Sequence, residues 1–413
     1  MNPEQKTQEN KSGFFSLAVL VAALGYFVDI YDLLLFNIVR VPSLKSLGLD
    51  AEGINSSGQF IISIQMIGLL IGGIIWGVMG DKKGRLSVLF GSIILYSIAN
   101  IINGFVTTVD QYAWVRFFAG VGLAGELGAG ITLVSELMSK EKRGIGTALV
   151  AGIGLTGAVV AYFISQEFDW RVCYFIGGGL GILLLFLRVS VFESHMFKNL
   201  KHSEVSKGNF LMFFNNSTRF KKYIASILIG LPTWYVIGIL VAFSNTFAAK
   251  FGIKEEIMPG KAIMFAYVAI SIGDLSAGLL SQYLRSRKKT LYVFYALSAV
   301  MITLYFLQNE NTSTTALYLI CAGLGFSSGF WAIFVTMAAE QFGTNLRATA
   351  ATTVPNMVRG SLPLLLILFN WLQNYFTYLT SGIITGGIVL LIALVSAISA
   401  DETFGKDLNY VEA

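Results

Sequence analysis

The sequence has little charge, little histidine and little cysteine. Only 13% of its 413 residues are charged and 55% are hydrophobic, whereas a soluble domain usually carries about 25% charged residues. This composition excludes an ordinary soluble protein and indicates a chain that crosses a membrane several times. The two cysteines, Cys173 and Cys321, fall inside apolar stretches, so we expect packing residues and no disulfide framework.

Residue combinations that support catalysis are also missing from the sequence. The two histidines, His195 and His202, lie in one polar interval outside the apolar stretches. No Ser/His/Asp arrangement or two-metal carboxylate cluster can be assembled from the apolar stretches. No phosphate-binding G-x-x-x-x-G-K-[ST] sequence occurs, so ATP is not expected to supply energy. We therefore expect no enzyme, no cofactor, no metal and no nucleic-acid partner.

Twelve apolar runs are long enough to cross a bilayer, which takes about 20 residues. The longest polar interval, 193–222, divides them six and six. The sequence thus predicts an all-α membrane protein with a six-helix bundle in 1–192, a linker in 193–222 and a second six-helix bundle in 223–413. The predicted spans 1 to 12 are 14–39, 58–79, 86–107, 111–138, 144–165, 172–192, 223–247, 261–284, 290–307, 315–339, 349–372 and 378–400.

The distribution of Lys and Arg predicts the orientation of these spans. Twenty of the 29 basic residues fall in one set of loops and six in the other. Loops rich in Lys and Arg stay in the cytoplasm, so both termini and the linker are expected there. Three arginines remain inside or at the edge of spans: Arg116, Arg188 and Arg359.

The loop after span 2 carries a motif, "GVMGDKKGR" (77–85), and "GLLSQYLRSRKK" (278–289) follows span 8 as a degenerate copy. Gly77 allows close helix packing, and Asp81 lies at a helix start, where the dipole favours an anion. With Gly84 and Arg85, these residues match the G-x-x-x-D-[RK]-x-G-R signature of the major facilitator superfamily, which the chain resembles. A duplicated six-helix half is typical of transporters with a central site.

Further stretches resemble the metabolite–proton symporter branch of that superfamily. They include "DIYD" (29–32) and "RFFAGVGLAGELGAG" (116–130). The resemblance implies two packed six-helix bundles, secondary transport, and gating or structural roles for the loop residues. Arg359 follows Arg347 by twelve residues, the spacing found in organic ion transporters of the superfamily. The loop motifs contain Glu136 and Arg143 in "ELMSKEKRG" (136–144), and Glu340 and Arg347 in "EQFGTNLRAT" (340–349).

Span 1 carries two carboxylates, Asp29 and Asp32, although one charge at mid-bilayer costs at least ~2.5 kcal/mol. A rise of ~1.5 Å per residue places Asp32 at about the depth of Arg116 in span 4. A carboxylate that gains and loses an arginine partner changes its affinity for protons. Our hypothesis is that Asp32, with Asp29 as alternative or partner, carries a symported proton and that Arg116 tunes it. The alternative is a static salt bridge that only neutralises both charges.

Two other charges in spans have more than one interpretation. Glu126 in span 4 is either a second protonation site or an uncharged interior acid. Arg359 lies near the centre of span 11, and its guanidinium matches a carboxylate bidentately, so we expect it to bind an anionic group of the substrate. A pair with Asp274 of span 8 is the alternative. Weaker substrate-site candidates near midplane depth are Gln65, Trp234, Tyr235, Ser327, Ser328, Trp331 and Asn356.

The sequence therefore predicts a secondary transporter, a monomer in a bacterial-type inner membrane that works by alternating access. Its expected activity is proton-coupled symport of a small organic anion or zwitterion, with the lipid bilayer as its other partner. Transport of a neutral solute such as a sugar, or export, are the alternatives. A sensor is disfavoured because only about a dozen residues follow Asp401.

Overall fold

A computed structural model describes residues 17–83, 85–126, 143–192 and 210–406. Its regular structure in these ranges is entirely helical, which confirms the predicted all-α class. For a few stretches it describes the backbone alone, namely 17–19, 80–83, 85–86, 143–149, 189–192, 344–345 and 348.

The helices of the first half follow the predicted spans closely, whereas three spans of the second half are divided. The first six helices are α1 (Leu17–Ser46), α2 (Ala51–Lys83), α3 (Arg85–Asn103), α4 (Val109–Leu123), α5 (Arg143–Glu167) and α6 (Trp170–Phe192). After a 3-10 turn (Phe210–Phe213) come α7 (Ser217–Tyr235), a π-helical stretch (Val236–Val241), α8 (Ser244–Phe251), α9 (Pro259–Leu284), α10 (Arg287–Phe306), α11 (Thr314–Ser327), α12 (Trp331–Glu340), α13 (Thr344–Gly360), α14 (Leu362–Leu372) and α15 (Tyr378–Ser399).

Length and hydropathy support membrane crossing for most of the described helices. Ten helical stretches are long and apolar enough to span a bilayer, and they coincide with predicted spans 1, 2 and 5 to 12. Span 3 corresponds to the shorter apolar helix Ser87–Asn103. Span 4 begins as α4, and the described residues end at Glu126 before its predicted end.

The breaks in the second half have local causes. Pro363 occupies the first turn of α14, where its missing N–H costs nothing, so a new helix starts there after Ser361. In span 10 the backbone interruption lies against α9, because a Cβ on Gly329 would come within 2.5 Å of the Gly273 Cα atom. These interruptions place irregular backbone inside the protein, where other groups can satisfy its polar atoms.

Helix α1 is the centre of the first half and is buried on nearly all its faces. It packs against α2, α5 and α6, and also contacts α9 of the second half. Tyr31, Leu34 and Phe36 are fully buried although they point in different directions around the helix. The charged side chains Asp29, Asp32 and Arg40 of α1 therefore face protein and do not reach lipid.

Close approach of α2 and α4 depends on glycine. A Cβ on Gly120 of α4 would lie 2.2 Å from the Gln65 carbonyl oxygen, and one on Gly68 of α2 would lie 2.2 Å from the Phe117 carbonyl oxygen. Small residues allow such backbone contact between membrane helices, where dispersion forces contribute strongly to association. This contact sets the position of Arg116, one turn before Gly120.

We expect Gly120→Ala to destabilise the protein, because overpacking of a tight contact costs about 1–3 kcal/mol. The matched control is Gly179→Ala in α6, where a Cβ would meet nothing within 4 Å. The control should unfold at or slightly above the wild-type temperature, since Ala is the better helix former. A thiol-reactive dye, which reaches the buried Cys173 and Cys321 only on unfolding, measures the transition. Equal midpoints for the two variants would contradict the proposed contact.

Candidate functional site

Asp32 of α1 and Arg116 of α4 form a buried ion pair. The Arg116 Nη1 atom lies 2.9 Å from Asp32 Oδ1, and both side chains have no solvent exposure. The same nitrogen lies 3.4 Å from the Asp32 carbonyl oxygen, to which it donates. The contact expected from equal depth is thus present, whereas its role in proton coupling stays a prediction.

The remaining donors of Arg116 meet two asparagines of α3. Its Nη2 atom donates to Asn100 Oδ1 at 2.6 Å. With the amide oxygen of Asn103 turned toward the guanidinium, Asn103 accepts from Nη2 at 2.6 Å and from Nε at 2.7 Å. The Tyr174 ring lies 4.9 Å from the guanidinium carbon, within the range of a cation–π contact. This shell was not predicted from the sequence, although the N-x-x-N spacing in an apolar span places both amides on one face of the helix.

Glu126 pairs with Arg188 of α6, a partner that the sequence analysis did not assign. Arg188 Nη1 donates to Glu126 Oε2 at 3.0 Å, and Nη2 donates to Oε1, so the pair is bidentate and buried. A Cβ on Gly25 of α1 would overlap both groups. The pair therefore lies directly against α1, one turn from Asp29.

Asp29 differs from the other buried carboxylates because it has no polar contact. The side chain is fully buried, and neither oxygen has a hydrogen-bond partner among the described residues. The charged side chains that interact with it electrostatically are Arg359, Glu126, Asp32 and Arg188. A buried carboxylate without a donor is costly while it is charged. Asp29 is thus the acidic group of the spans that most needs a proton or a partner.

Arg359 of α13 faces this region and keeps donors unused. It is buried, its Nε atom has no partner within the described chain, and its Nη1 atom makes only a long contact, 3.5 Å, to Asn356 Oδ1. Its guanidinium carbon lies 5.9 Å from the centre of the Trp331 ring. An arginine with unused donors inside the protein is suited to receive an anion.

The alternative partner for Arg359, Asp274, is occupied elsewhere. Asp274 Oδ1 accepts from the backbone N–H of Ala332 at 3.0 Å, in the first turn of α12. A carboxylate at a helix N-terminus satisfies a free N–H and interacts favourably with the helix dipole. The described residues contain no ion pair between Asp274 and Arg359. The pair that the sequence leaves open as an alternative for Arg359 is therefore not formed in this conformation, because the break in span 10 gives Asp274 another partner.

Two tyrosines that the sequence analysis missed complete the group around Asp29 and Arg359. Tyr26 of α1 and Tyr267 of α9 each interact electrostatically with both charged residues, and each is 5% exposed. Tyr26 lies three residues before Asp29, and Tyr267 lies seven residues before Asp274, so each shares a helix face with a predicted residue. We call Tyr26, Asp29, Tyr267 and Arg359 the central cluster.

Several weaker candidates are engaged in packing between helices. Gln65 Nε2 donates to the Leu33 carbonyl oxygen at 3.2 Å. Tyr235 donates to the Gly382 carbonyl oxygen at 2.7 Å, which directs its hydroxyl into the contact between α7 and α15. Ser327 donates to its own helix, and Trp234 and Ser328 are buried. Asn356 and Trp331, by contrast, contact Arg359 of the central cluster.

Hydrogen bonds of Asn356 and of Arg40 join the halves of the chain at two separate places. Asn356 Nδ2 donates to the Ala124 carbonyl oxygen at 2.8 Å, where α4 has just ended. At the other end of α1, the buried Arg40 donates to the Ala242 carbonyl oxygen at 2.9 Å and to Asn245 at 3.1 Å. Arg40 thereby satisfies a carbonyl that the break in span 7 leaves free. In this conformation all four side chains of the central cluster are buried.

The gating and structural candidates are only partly described. Gly77 lies against α13, since its Cβ would lie 3.1 Å from Thr353. Glu340 pairs with Arg287 at 3.4 Å and accepts from Thr403 at 2.6 Å. Arg347 donates to the Phe342 carbonyl oxygen at 3.4 Å. Gly84 and Glu136 lie outside the described residues, and the side chains of Asp81, Arg85 and Arg143 are not described.

Glu402, in the chain after α15, forms hydrogen bonds with the start of α10. Its carboxylate accepts from the Ser286 hydroxyl and from the backbone N–H groups of Arg287 and Lys288. Burial alone would raise the pKa of Glu402, but these hydrogen bonds outweigh it and the pKa is lowered. Glu402 therefore stays ionised at neutral pH and caps α10.

Substitutions of Asp32 and Arg116 should have strongly non-additive effects on the free energy of unfolding. Asp32→Asn or Arg116→Gln alone leaves one buried charge and is expected to cost about 3–5 kcal/mol, whereas the double variant recovers much of that loss. Thermal unfolding of the purified protein measures each effect. The exposed pair Lys222–Asp401, 3.0 Å apart, is the control, and Lys222→Gln should cost at most about 1 kcal/mol. Additive effects of the two central substitutions would contradict a coupled pair.

Comparison with known proteins agrees with the arrangement of helices and buried charges. The family model of the Major Facilitator Superfamily matches residues 15–365. The niacin transporter NiaP of Acinetobacter baylyi (strain ATCC 33305 / BD413 / ADP1) is 25% identical over 424 aligned residues, which cover 95% of each chain. The benzoate transport protein of the same organism is 24% identical and covers 91% of this chain and 87% of its own.

A solved structure shows the same fold. The proton:xylose symporter XylE bound to 6-bromo-6-deoxy-D-glucose has a TM-score of 0.68 at 16% identity, and covers 95% of this chain and 97% of its own. The predicted fold is confirmed, and so is the expectation of a transporter rather than an enzyme, because these relatives are named transporters. The chain belongs to the major facilitator superfamily and is an integral, multi-pass membrane transport protein.

Proposed function

We propose that the protein is a proton-coupled symporter of a small organic anion, with Arg359 as the anion receptor and Asp29 as the proton carrier. One observation carries this proposal: the fully buried Asp29 has no hydrogen-bond partner in the described chain, and the buried Arg359, which interacts with it electrostatically, has an Nε atom without a partner. An acid without a partner and a cation with free donors belong to one enclosed cluster.

Anion binding follows from the surroundings of Arg359. Its Nε atom is unpartnered in the part of the chain that the structure describes, and its Nη1 contact is long. A substrate carboxylate would accept from two guanidinium nitrogens at once. Trp331 and the two tyrosines of the central cluster add aromatic surface, which suits a small ligand with an apolar or aromatic body.

Coupling follows from the like charges of the substrate and of Asp29. Two negative charges about 6 Å apart repel by about 3 kcal/mol at an effective dielectric constant of 20. A proton on Asp29 removes this repulsion and also the cost of a buried charge without a donor. The anion and the proton therefore bind better together than either binds alone, which is the requirement for symport.

This assignment changes the order of the two aspartates. The hypothesis from sequence favours Asp32 as the proton carrier, with Asp29 as alternative or partner. Asp32 is held by a guanidinium whose donors are all used, so it has a partner of opposite charge in hydrogen-bond contact, which Asp29 lacks. We assign Asp32 and Arg116 a positioning role in α1, and we assign the bidentate pair of Glu126 and Arg188 the same role.

The relatives guide the choice of substrate class. Niacin and benzoate, named for two of them, each carry one carboxylate on an aromatic ring. We therefore place small aromatic monocarboxylates first, ahead of the neutral solutes and the export that the sequence leaves open. The transporter is proposed to act as a monomer in a bacterial inner membrane, with cytoplasmic termini and two bundles, 1–192 and 223–413, that alternate around the central cluster.

Nicotinate and nicotinamide test the anion assignment because they differ chiefly in charge. We expect nicotinate or benzoate to raise the unfolding temperature of the purified protein, since a ligand that binds the folded state stabilises it. Nicotinamide should have little effect. For Arg359→Lys, the acid concentration needed for the same rise in unfolding temperature should be at least tenfold higher, because an ammonium group cannot form the bidentate contact.

Two results would overturn the anion assignment. One is stabilisation by nicotinamide or by neutral sugars with no response to any organic acid. The other is an unchanged response of Arg359→Lys to a stabilising acid. Asn245→Ala serves as the control variant, because it removes one partner of Arg40 at the end of α1 and leaves the central cluster intact.

A further inference from the structure

A cavity of about 510 Å³ opens between the start of α7 and the end of α15, away from the central cluster. The start of α7 and the end of α15 lie on the side of the membrane that is predicted to be cytoplasmic from the distribution of Lys and Arg in the loops. The transport mechanism proposed above does not use this cavity. The polar residues that line it, which we call its polar wall, are Thr218, Lys221, Lys222, Gln341, Ser396, Ser399 and Asp401.

The cavity carries more positive than negative charge. Lys222 pairs with Asp401 at 3.0 Å, and both remain partly exposed. Lys221 is exposed and has no ion pair within the described residues. The first turn of α7 contains no acidic residue, and a helix N-terminus itself bears partial positive charge. The described chain thus supplies no second carboxylate to this wall, and a ligand with an anionic group fits it.

The other wall of the cavity is apolar and runs toward the membrane interior. Phe220, Ile224 and Leu228 line it at intervals of four residues, so they form one ridge along α7. Leu228 lies about 9 Å deeper than Lys222 along the helix. Just before α7, Leu211 and Phe214 are 65% and 48% exposed, as expected for a segment at the bilayer surface.

We infer that this cavity binds an anionic phospholipid, with the phosphate at Lys221 and Lys222 and an acyl chain along Phe220, Ile224 and Leu228. A dissolved anion would use only the polar wall, whereas the adjoining ridge matches a lipid chain. Basic pockets between spans on the cytoplasmic side are suited to anionic headgroups. Because the cavity lies between α7 and α15, the bound lipid would hold the first helix of the second half against the last.

The test measures unfolding temperatures of the full-length protein in detergent during titration with phosphatidylglycerol, phosphatidylcholine or inorganic phosphate. We expect phosphatidylglycerol alone to stabilise the protein. Lys221→Gln, which breaks no ion pair, should shift the required lipid concentration about fivefold, and the Lys221→Gln/Lys222→Gln double variant about 30-fold. Ala225→Trp, which fills the cavity without a change in charge, should abolish the response.

The Lys250→Gln/Lys254→Gln double variant is the matched control, because it removes the same charge from exposed positions outside the cavity. It should respond like the wild type. An unchanged response of both Lys221 variants and of Ala225→Trp would overturn the inference. If the control lost the lipid response equally, the effect would come from net charge alone and the inference would be overturned. If inorganic phosphate stabilised the protein equally, the cavity would be a site for dissolved anions and not for lipid. These outcomes are independent of the substrate tests.

Discussion

The arrangement of the first half depends on the cost of charge inside a membrane. A charged group in a span needs a partner of opposite sign or a set of hydrogen bonds. Asp32 meets Arg116, and Glu126 meets Arg188. The first pair joins α1 to α4, and the second joins the residues just after α4 to α6. Glycine contacts bring α2 against α4. The buried pairs thereby fix the face that α1 turns toward the second half.

Asp29 is left without a partner on that face, and this exception gives the site its chemistry. If every buried charge had a partner, neither a proton nor a substrate could stabilise the interior further by binding there. The unpartnered Asp29 carboxylate and the free donors of Arg359 can each gain a partner from a transported ligand. In the proposed mechanism a substrate anion binds Arg359 and a proton binds Asp29, so the binding of one ligand favours the binding of the other.

The sequence alone was sufficient for the fold class, the span positions and the Asp32–Arg116 contact, because hydrophobic run length and helical rise are properties of single helices. It was not sufficient for relations among three helices. The shell of Asn100 and Asn103, the Arg188 partner of Glu126 and the position of Tyr267 depend on packing. The sequence left a pair of Asp274 with Arg359 open as an alternative, and it could not show that the break in span 10 supplies Asp274 with an N–H group instead.

The most direct test of the account is the number of protons taken up when substrate binds. A pH indicator in weakly buffered detergent solution reports this number for a stabilising acid such as nicotinate. Near the pH at which the free protein is mostly deprotonated, the wild type should take up close to one proton per bound anion. Asp29→Asn should still bind the anion but take up none, and Asp32→Asn, if it folds, should keep the uptake. Unchanged proton uptake by Asp29→Asn would contradict the central claim.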